Sequence, residues 1–148
     1  MAMNYGNTMK LKYIPLLLIP LLTLVYCDSN PYQQGEILYN NFCANCHMEN
    51  GEGLQGLIPP LAGADWMKNN QEDLACIIRY GMKGPIEVNG RTYNQAMPGV
   101  PELSGFEITN VINFINHAWG NDYGYVKYES VNNALEECAD AEYGSSEK

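Results

Sequence analysis

Residues 43–47 read Cys-Ala-Asn-Cys-His, two thiols three positions apart with an imidazole directly after the second. Three chemistries use such residues at such spacing: metal coordination, disulfide cycling and covalent attachment of a prosthetic group. A structural zinc site needs a second ligand pair at similar spacing, whereas Cys76 and Cys138 stand alone and His117 has no companion. A thioredoxin-like dithiol needs a strand-to-helix setting within a βαβ pattern. Here the motif closes one helical stretch and opens a glycine-rich loop. Cys-x-x-Cys-His is also the attachment pattern of a c-type haem. In that chemistry Cys43 and Cys46 add to the two vinyl groups, and His47 reaches the iron from the same side.

A haem iron held by one histidine needs a second axial ligand to act as a closed redox centre. Met97 stands fifty positions after His47, in Asn94-Gln-Ala-Met-Pro-Gly-Val. Thioether and imidazole together suit a redox iron and raise its potential, because the soft sulfur favours the ferrous state. Met48, Met67 and Met82 compete for the role. Met48 adjoins His47 and cannot cross to the other haem face. Met67 and Met82 lie at a helix approach and a helix end, where methionine more often fills core. Met97 is therefore the expected ligand.

The elements that must position these groups can be read from periodicity. Residues 33–43 predict a helix of about three turns with Ile37, Leu38, Phe42 and Tyr39 on one face. Residues 48–66 carry four glycines and two prolines and predict loop. Residues 71–80 predict a helix with acids in its first turn and Gly81 as its stop. Ile86–Tyr93 predicts a short hairpin turning on Asn89-Gly90, which tolerates the positive φ angles of a tight turn. From Ser104 a helix is predicted with Ile108, Val111, Ile112, Ile115 and Trp119 along one face and Gly120 after it. The last 28 residues are acidic; 130–141 could form a loose helix, and 142–148 read as disorder.

The N-terminus reads as an export signal. Lys10 and Lys12 precede an uncharged apolar run from Tyr13 to Tyr26, of h-region length and short for a membrane span. Pro15 and Pro20 argue against a buried helix there. The run ends at Cys27 in a sequence that resembles a bacterial lipobox, with Tyr26 where a small residue usually stands. Either Met1 or Met9 serves as the start, since Met9-Lys-Leu-Lys makes a conventional n-region. The expected organisation is a signal peptide over 1–27, a tether over 28–32, one domain over 33–120 and an acidic tail over 121–148. Without Lys10 and Lys12, six basic side chains face 17 acidic ones, a formal charge of −11. Such a surface repels nucleic acid and favours a basic partner face.

Over most of residues 33–120 the chain resembles the class I cytochromes c. Gly35 and Tyr39 stand eight and four positions before Cys43, where that family has a glycine and an aromatic on its first helix. Val111 and Phe114 match the pair on the last helix that crosses them. Pro59 lies twelve after His47 and is followed by Pro60-Leu61. The resemblance implies that the Pro59 carbonyl accepts a hydrogen bond from His47 Nδ1, and that Leu61 packs on the haem. Asn50-Gly-Glu-Gly, Pro59–Trp66, Val88-Asn-Gly and Met97-Pro-Gly are similar to the small single-haem cytochromes, often lipoproteins, of Bacteroidetes-type bacteria. The implied fold is all-α: three to four helices around one covalently bound haem c, with a short hairpin before the methionine loop. The implied site is Cys43, Cys46, His47, Pro59, Leu61 and Met97, with His47 and Met97 on the iron.

The expected function is electron transfer on the periplasmic side by an exported protein, anchored to the membrane by lipid on Cys27, exchanging electrons with redox protein partners. Two filled axial positions keep O₂ and peroxide off the iron. With only two histidines, no nucleophile–base constellation forms, so neither an enzyme nor a small-molecule substrate is expected. Two other classes use the same residues: a fixed subunit of a larger respiratory or dehydrogenase complex, and a haem gas sensor whose methionine leaves. Trp66 fits either the haem edge or the core. Tyr93 and Asn94 suit a hydrogen bond to the Met97 sulfur or a haem propionate, or hairpin-end packing. His117 suits the end of a helix. Cys76 is expected as an inert buried thiol, while Cys138 is free, pairs with Cys76 or bonds another chain. The acidic tail reads as a solvated face or a docking segment.

Overall fold

The computed structural model describes residues 30–140; the expected leader, Cys27 and residues 141–148 lie outside the described residues. In chain order the elements are α1 (Gln33–Phe42), α2 (Ala44–His47), α3 (Asp65–Asn69), a 3-10 turn (Gln71–Asp73), α4 (Leu74–Tyr80), β1 (Gly81–Met82), β2 (Ile86–Val88), β3 (Arg91–Tyr93), β4 (Met97–Pro98), α5 (Gly105–His117) and α6 (Tyr128–Asp140). The fold is mostly helical, with six α segments among the described residues rather than three or four. Two of the six are single short turns, and a third lies in the stretch read as tail.

Helix α5 is the centre. Ser104 opens it with a capping box: its backbone N–H donates to Glu107 Oε2 at 2.8 Å, and its Oγ accepts from the Glu107 N–H at 3.3 Å. These bonds satisfy amides that the first turn leaves without partners. Ile108, Val111, Ile112 and Ile115 are buried as the periodicity predicts. The helix stops at His117, so Trp119 stands beyond it, at φ 53°. From there its ring meets Tyr39 and Phe114, with centroids 5.0 and 5.5 Å away.

Helix α1 crosses α5 at Gly35. A Cβ there would run into the Asn110 carbonyl oxygen and stand 2.6 Å from Phe114 Cβ, so only glycine permits this approach. The buried face of α1 is accordingly Gly35 and Tyr39. Ile37, expected on that face, is 47% exposed, because the crossing point and not the hydrophobic stripe fixes how the helix is rotated. Phe114 meets Tyr39 at 5.4 Å, while Val111 turns to the cavity described below.

The predicted hairpin forms as β2–β3, with Asn89 and Gly90 both at positive φ as a type I′ turn requires. Its tip is held to the start of α3: Asn89 N–H donates to Asp65 Oδ1 at 2.7 Å, and Asp65 N–H donates to Asn89 Oδ1 at 3.1 Å. A second ladder pairs β1 with β4, setting Met82 opposite Met97. Gly81 sits there at φ 85° with a Cβ position blocked by the Met97 carbonyl oxygen.

Residues 121–140 pack onto the helical core instead of trailing from it. Asn113 Nδ2 donates to the Val126 carbonyl and its Oδ1 accepts from the Val126 N–H, both at 2.8 Å. Helix α6 then places Val131, Ala134, Leu135 and Cys138 on one stripe, with Glu129, Glu136 and Glu137 outward. Cys138 is disulfide-bonded to Cys76 on α4, 62 positions away, with Cα atoms 6.1 Å apart. The inert thiol expected at Cys76 is thus corrected to half of a cross-link. The reason lies in rotation: α4 turns Leu74, Ile77 and Ile78 to the cavity and leaves Cys76 facing α6. Among the described residues no helix is long and apolar enough to cross a membrane.

Candidate haem site

The Cys-x-x-Cys-His segment is a short continuation of α1. Cys43 N–H donates to the Tyr39 carbonyl at 2.8 Å, and His47 N–H donates to the Cys43 carbonyl at 3.0 Å. Helical spacing therefore brings Cys43, Cys46 and His47 to the wall of one cavity. Met48, at φ 64°, ends the turn, and its carbonyl accepts from the buried Tyr39 hydroxyl at 2.6 Å. Burial, with a smaller contribution from the Cys43 charge, lifts the Tyr39 phenol well above its ordinary range. Burial also pushes Cys43 up to about 11, aided by the charge on Cys46, so near neutral pH it is a thiol. Both cysteines are free of disulfides.

His47 is 8% exposed, and its Nδ1 lies 3.2 Å from the Pro59 carbonyl oxygen. A carbonyl only accepts, so Nδ1 carries the proton and Nε2 keeps its lone pair. Burial lowers the histidine pKa, and the Pro59 bond works in the opposite direction. The loop that delivers Pro59 is held at several points. Gly53 N–H donates to the His47 carbonyl at 3.0 Å, and the Gly51 carbonyl accepts from Leu61 and Ala62 at 2.7 and 3.0 Å. Gly53 has φ 66°, and a Cβ on it would collide with the Ile58 carbonyl oxygen and stand 2.6 Å from that of Pro59.

The cavity measures about 560 Å³, within the usual range for cofactor sites. Cys43, Cys46, His47, Pro59, Leu61 and Met97 all line it. Met67 and Met82 line it too; Met48 is not among the lining residues. Met97, expected in a loop, belongs to β4, and directly opposite positions on an antiparallel pair share one face, so Met82 is its neighbour. Trp66 and Tyr93 reach the wall, whereas Asn94 is exposed and outside it. His117 does not line the cavity: its ring stacks on Tyr32 at 4.4 Å and its Nδ1 bonds the Asn113 carbonyl.

Sequence reasoning missed much of the wall. Leu74, Ile77 and Ile78 from α4 are not singled out, and Val111 and Ile115 from α5 read as an apolar stripe, Val111 also as part of the helix crossing. It also missed Asn121, whose buried carboxamide binds the Leu61–Gly63 loop; a lone polar residue after a helix gives no periodic signal. The donor set fits a haem. A neutral imidazole offers Nε2, thioethers offer soft sulfur, two thiols stand on the wall, and the remaining lining is largely apolar. Among the described residues no group of three or more His, Cys, Asp and Glu side chains could hold a metal ion in a cage of its own.

Comparison with known proteins agrees. Residues 32–119 match the family model described as Cytochrome c. Two forms of cytochrome c-552 of Thermus thermophilus are each 42% identical over 83 residues, 53% of this chain and 63% and 56% of theirs. The cytochrome c subunit of a quinone alcohol dehydrogenase from Gluconobacter oxydans is 36% identical over 90 residues, 60% of this chain and 19% of that subunit. The chain thus spans less than two thirds of the length of these relatives. Family membership implies covalently bound haem c. With the attachment motif, the cavity and a family match across most of the folded unit, this chain belongs to the cytochrome c family.

Proposed function

We propose that this chain is an exported one-electron carrier with a single haem c attached through Cys43 and Cys46 and ligated by His47 and Met97. The observation that carries the reading is one apolar cavity whose wall holds both thiols, the His47–Pro59 pair and Met97. When bound, the haem supplies an iron that cycles between ferrous and ferric states. The protein's part is to hold that iron closed and dry. Pro59 fixes the His47 ring and makes Nε2 a stronger donor. Leu61, Ile77, Val111 and Ile115 exclude water, and a wall of low polarity favours the less charged ferrous form. Met97 would supply the second ligand to the iron, and Met82 beside it would serve as packing.

The test is the weak absorption band toward the red that a ferric haem shows with a methionine sulfur ligand. Met97→Ala removes the band, lowers the potential and opens the iron to carbon monoxide, whereas Met82→Ala leaves the spectrum unchanged. Loss of the band in Met82→Ala alone overturns the ligand assignment.

The same reading covers the rest of the chain. Residues 1–27 act as a lipoprotein-type signal peptide and Cys27 carries the lipid; residues 28–32 form the tether; the haem domain begins at residue 33. The protein works in the periplasm on the membrane, as the small Bacteroidetes-type lipoprotein cytochromes that it resembles would, and its acidic surface meets a basic face on its redox partners. Likeness to the cytochrome c subunit of a quinone alcohol dehydrogenase favours a second reading, a fixed subunit of a dehydrogenase complex. Co-purification with membrane partners at high salt distinguishes it from a mobile carrier.

A further inference from the structure

Asn121 is 7% exposed, and three hydrogen bonds occupy its carboxamide. Its Nδ2 donates to the Ile115 carbonyl at 2.7 Å and to the Leu61 carbonyl at 3.1 Å, and its Oδ1 accepts from the Gly63 N–H at 2.8 Å. Ile115 belongs to α5, the rigid centre of the fold. Leu61 and Gly63 belong to the loop that presents the Pro59 carbonyl to His47. Among its other bonds, those from Leu61 and Ala62 to Gly51 and from Gly53 to His47 tie it to its own beginning and to the attachment turn, and Trp119 Nε1–H donates to the Glu49 carbonyl at its start. Asn121 ties it to the helix. The residue lies two positions past the stretch matched to the family.

From this geometry we infer that Asn121 is a positioning residue for the proximal side of the haem: it holds the 59–63 loop against α5 and so fixes the His47 Nδ1–H···O=C Pro59 bond. The inference rests on the proposed ligation of iron by His47. A firm bond to Nδ1–H raises the electron donation of Nε2 and favours ferric iron. If the loop is released, the Pro59 oxygen drifts from a bond already 3.2 Å long, donation weakens and the reduction potential rises. Truncating Asn121 also leaves the Leu61 and Ile115 carbonyls without this partner, so stability falls as well. Stability alone therefore does not test the role.

The experiment compares Asn121→Ala, Asn121→Ser and Asn113→Ala in the haem-loaded protein. Asn113 is an equally buried amide that holds Val126 and makes no bond to the loop. Potentials are measured by voltammetry. In the ferrous state, nuclear magnetic resonance follows exchange of the His47 Nδ1 proton with water. Expected is a positive shift of potential and at least tenfold faster exchange in Asn121→Ala, a smaller change in Asn121→Ser, and neither in Asn113→Ala despite its lost stability. If Asn121→Ala fails to accumulate, Asn121→Ser carries the comparison. Potential and exchange unchanged in the Asn121 variants, or moved equally by Asn113→Ala, overturn the positioning role while leaving the ligation intact. A wild-type protein with no protected His47 Nδ1 proton overturns the His47–Pro59 bond, and with it the positioning role.

Discussion

Replacing Cys76 and Cys138 together by alanine removes the cross-link that fastens α6 to α4 and leaves the haem cavity untouched. The magnitude follows from the chain. The bond closes a loop of 62 positions, which withholds about 4 kcal/mol of conformational entropy from the unfolded state. For a chain of this size, that loss lowers the melting temperature by roughly 8–16 °C. Val131 and Leu135 still pack, so α6 stays docked in the folded state while unfolding becomes easier. The assay is thermal and denaturant unfolding of the ferric holoprotein, followed by helical circular dichroism, with the haem spectrum as a control for an intact site. Peptide mapping after alkylation under denaturing conditions identifies the linked pair in the parent protein. A stability loss below about 1 kcal/mol would refute the entropic argument, and freely alkylated Cys76 and Cys138 would refute the pairing itself.

Cys43→Ala with Cys46→Ala abolishes covalent haem, read as loss of haem stain on a denaturing gel, and lowers accumulation because the bound group stabilises only the native state. Gly35→Ala forces α1 off α5 and costs about 1–3 kcal/mol of overpacking, measured by denaturant unfolding; Gly56→Ala, with open space around its Cβ but φ 77°, separates backbone strain from collision. The Glu107 carboxyl is held below its usual value by the Ser104 backbone N–H and then by the Ser104 hydroxyl. Its folded value is depressed, so its contribution is complete above the ordinary carboxylate range and disappears as pH falls through the lower, folded value. Glu107→Gln should flatten that acid limb of a stability-against-pH curve, and an unchanged slope would contradict the capping box.

What could be read from the sequence was what neighbouring residues settle among themselves. The attachment motif is legible because Cys43, Cys46 and His47 must share one helical turn, and a turn is a local object. The hairpin is legible because Asn89-Gly90 accepts positive φ without help, and α5 because Ser104 and Glu107 bond across three positions. The isoleucine stripe of α5 announces a buried face. It does not say that Val111 and Ile115 would look into a cavity while Ile108 and Ile112 fill core.

Tertiary structure decided everything that depends on how helices are rotated against one another. Gly35, not Ile37, marks the inner face of α1, because a backbone carbonyl of α5 occupies the space that a side chain would need. Met82 and Met97 become neighbours only when β1 pairs with β4, through a register set by the close approach at Gly81. Cys76 meets Cys138 because α4 turns that position away from the haem side, toward a stretch that the sequence alone reads as no more than a loose helix in an acidic tail. Asn121 reaches the proximal loop from 58 and 60 positions away. Contacts at that separation leave no period in the chain: each is satisfied by one pair of residues, and which pair meets is fixed only when the faces between them have packed.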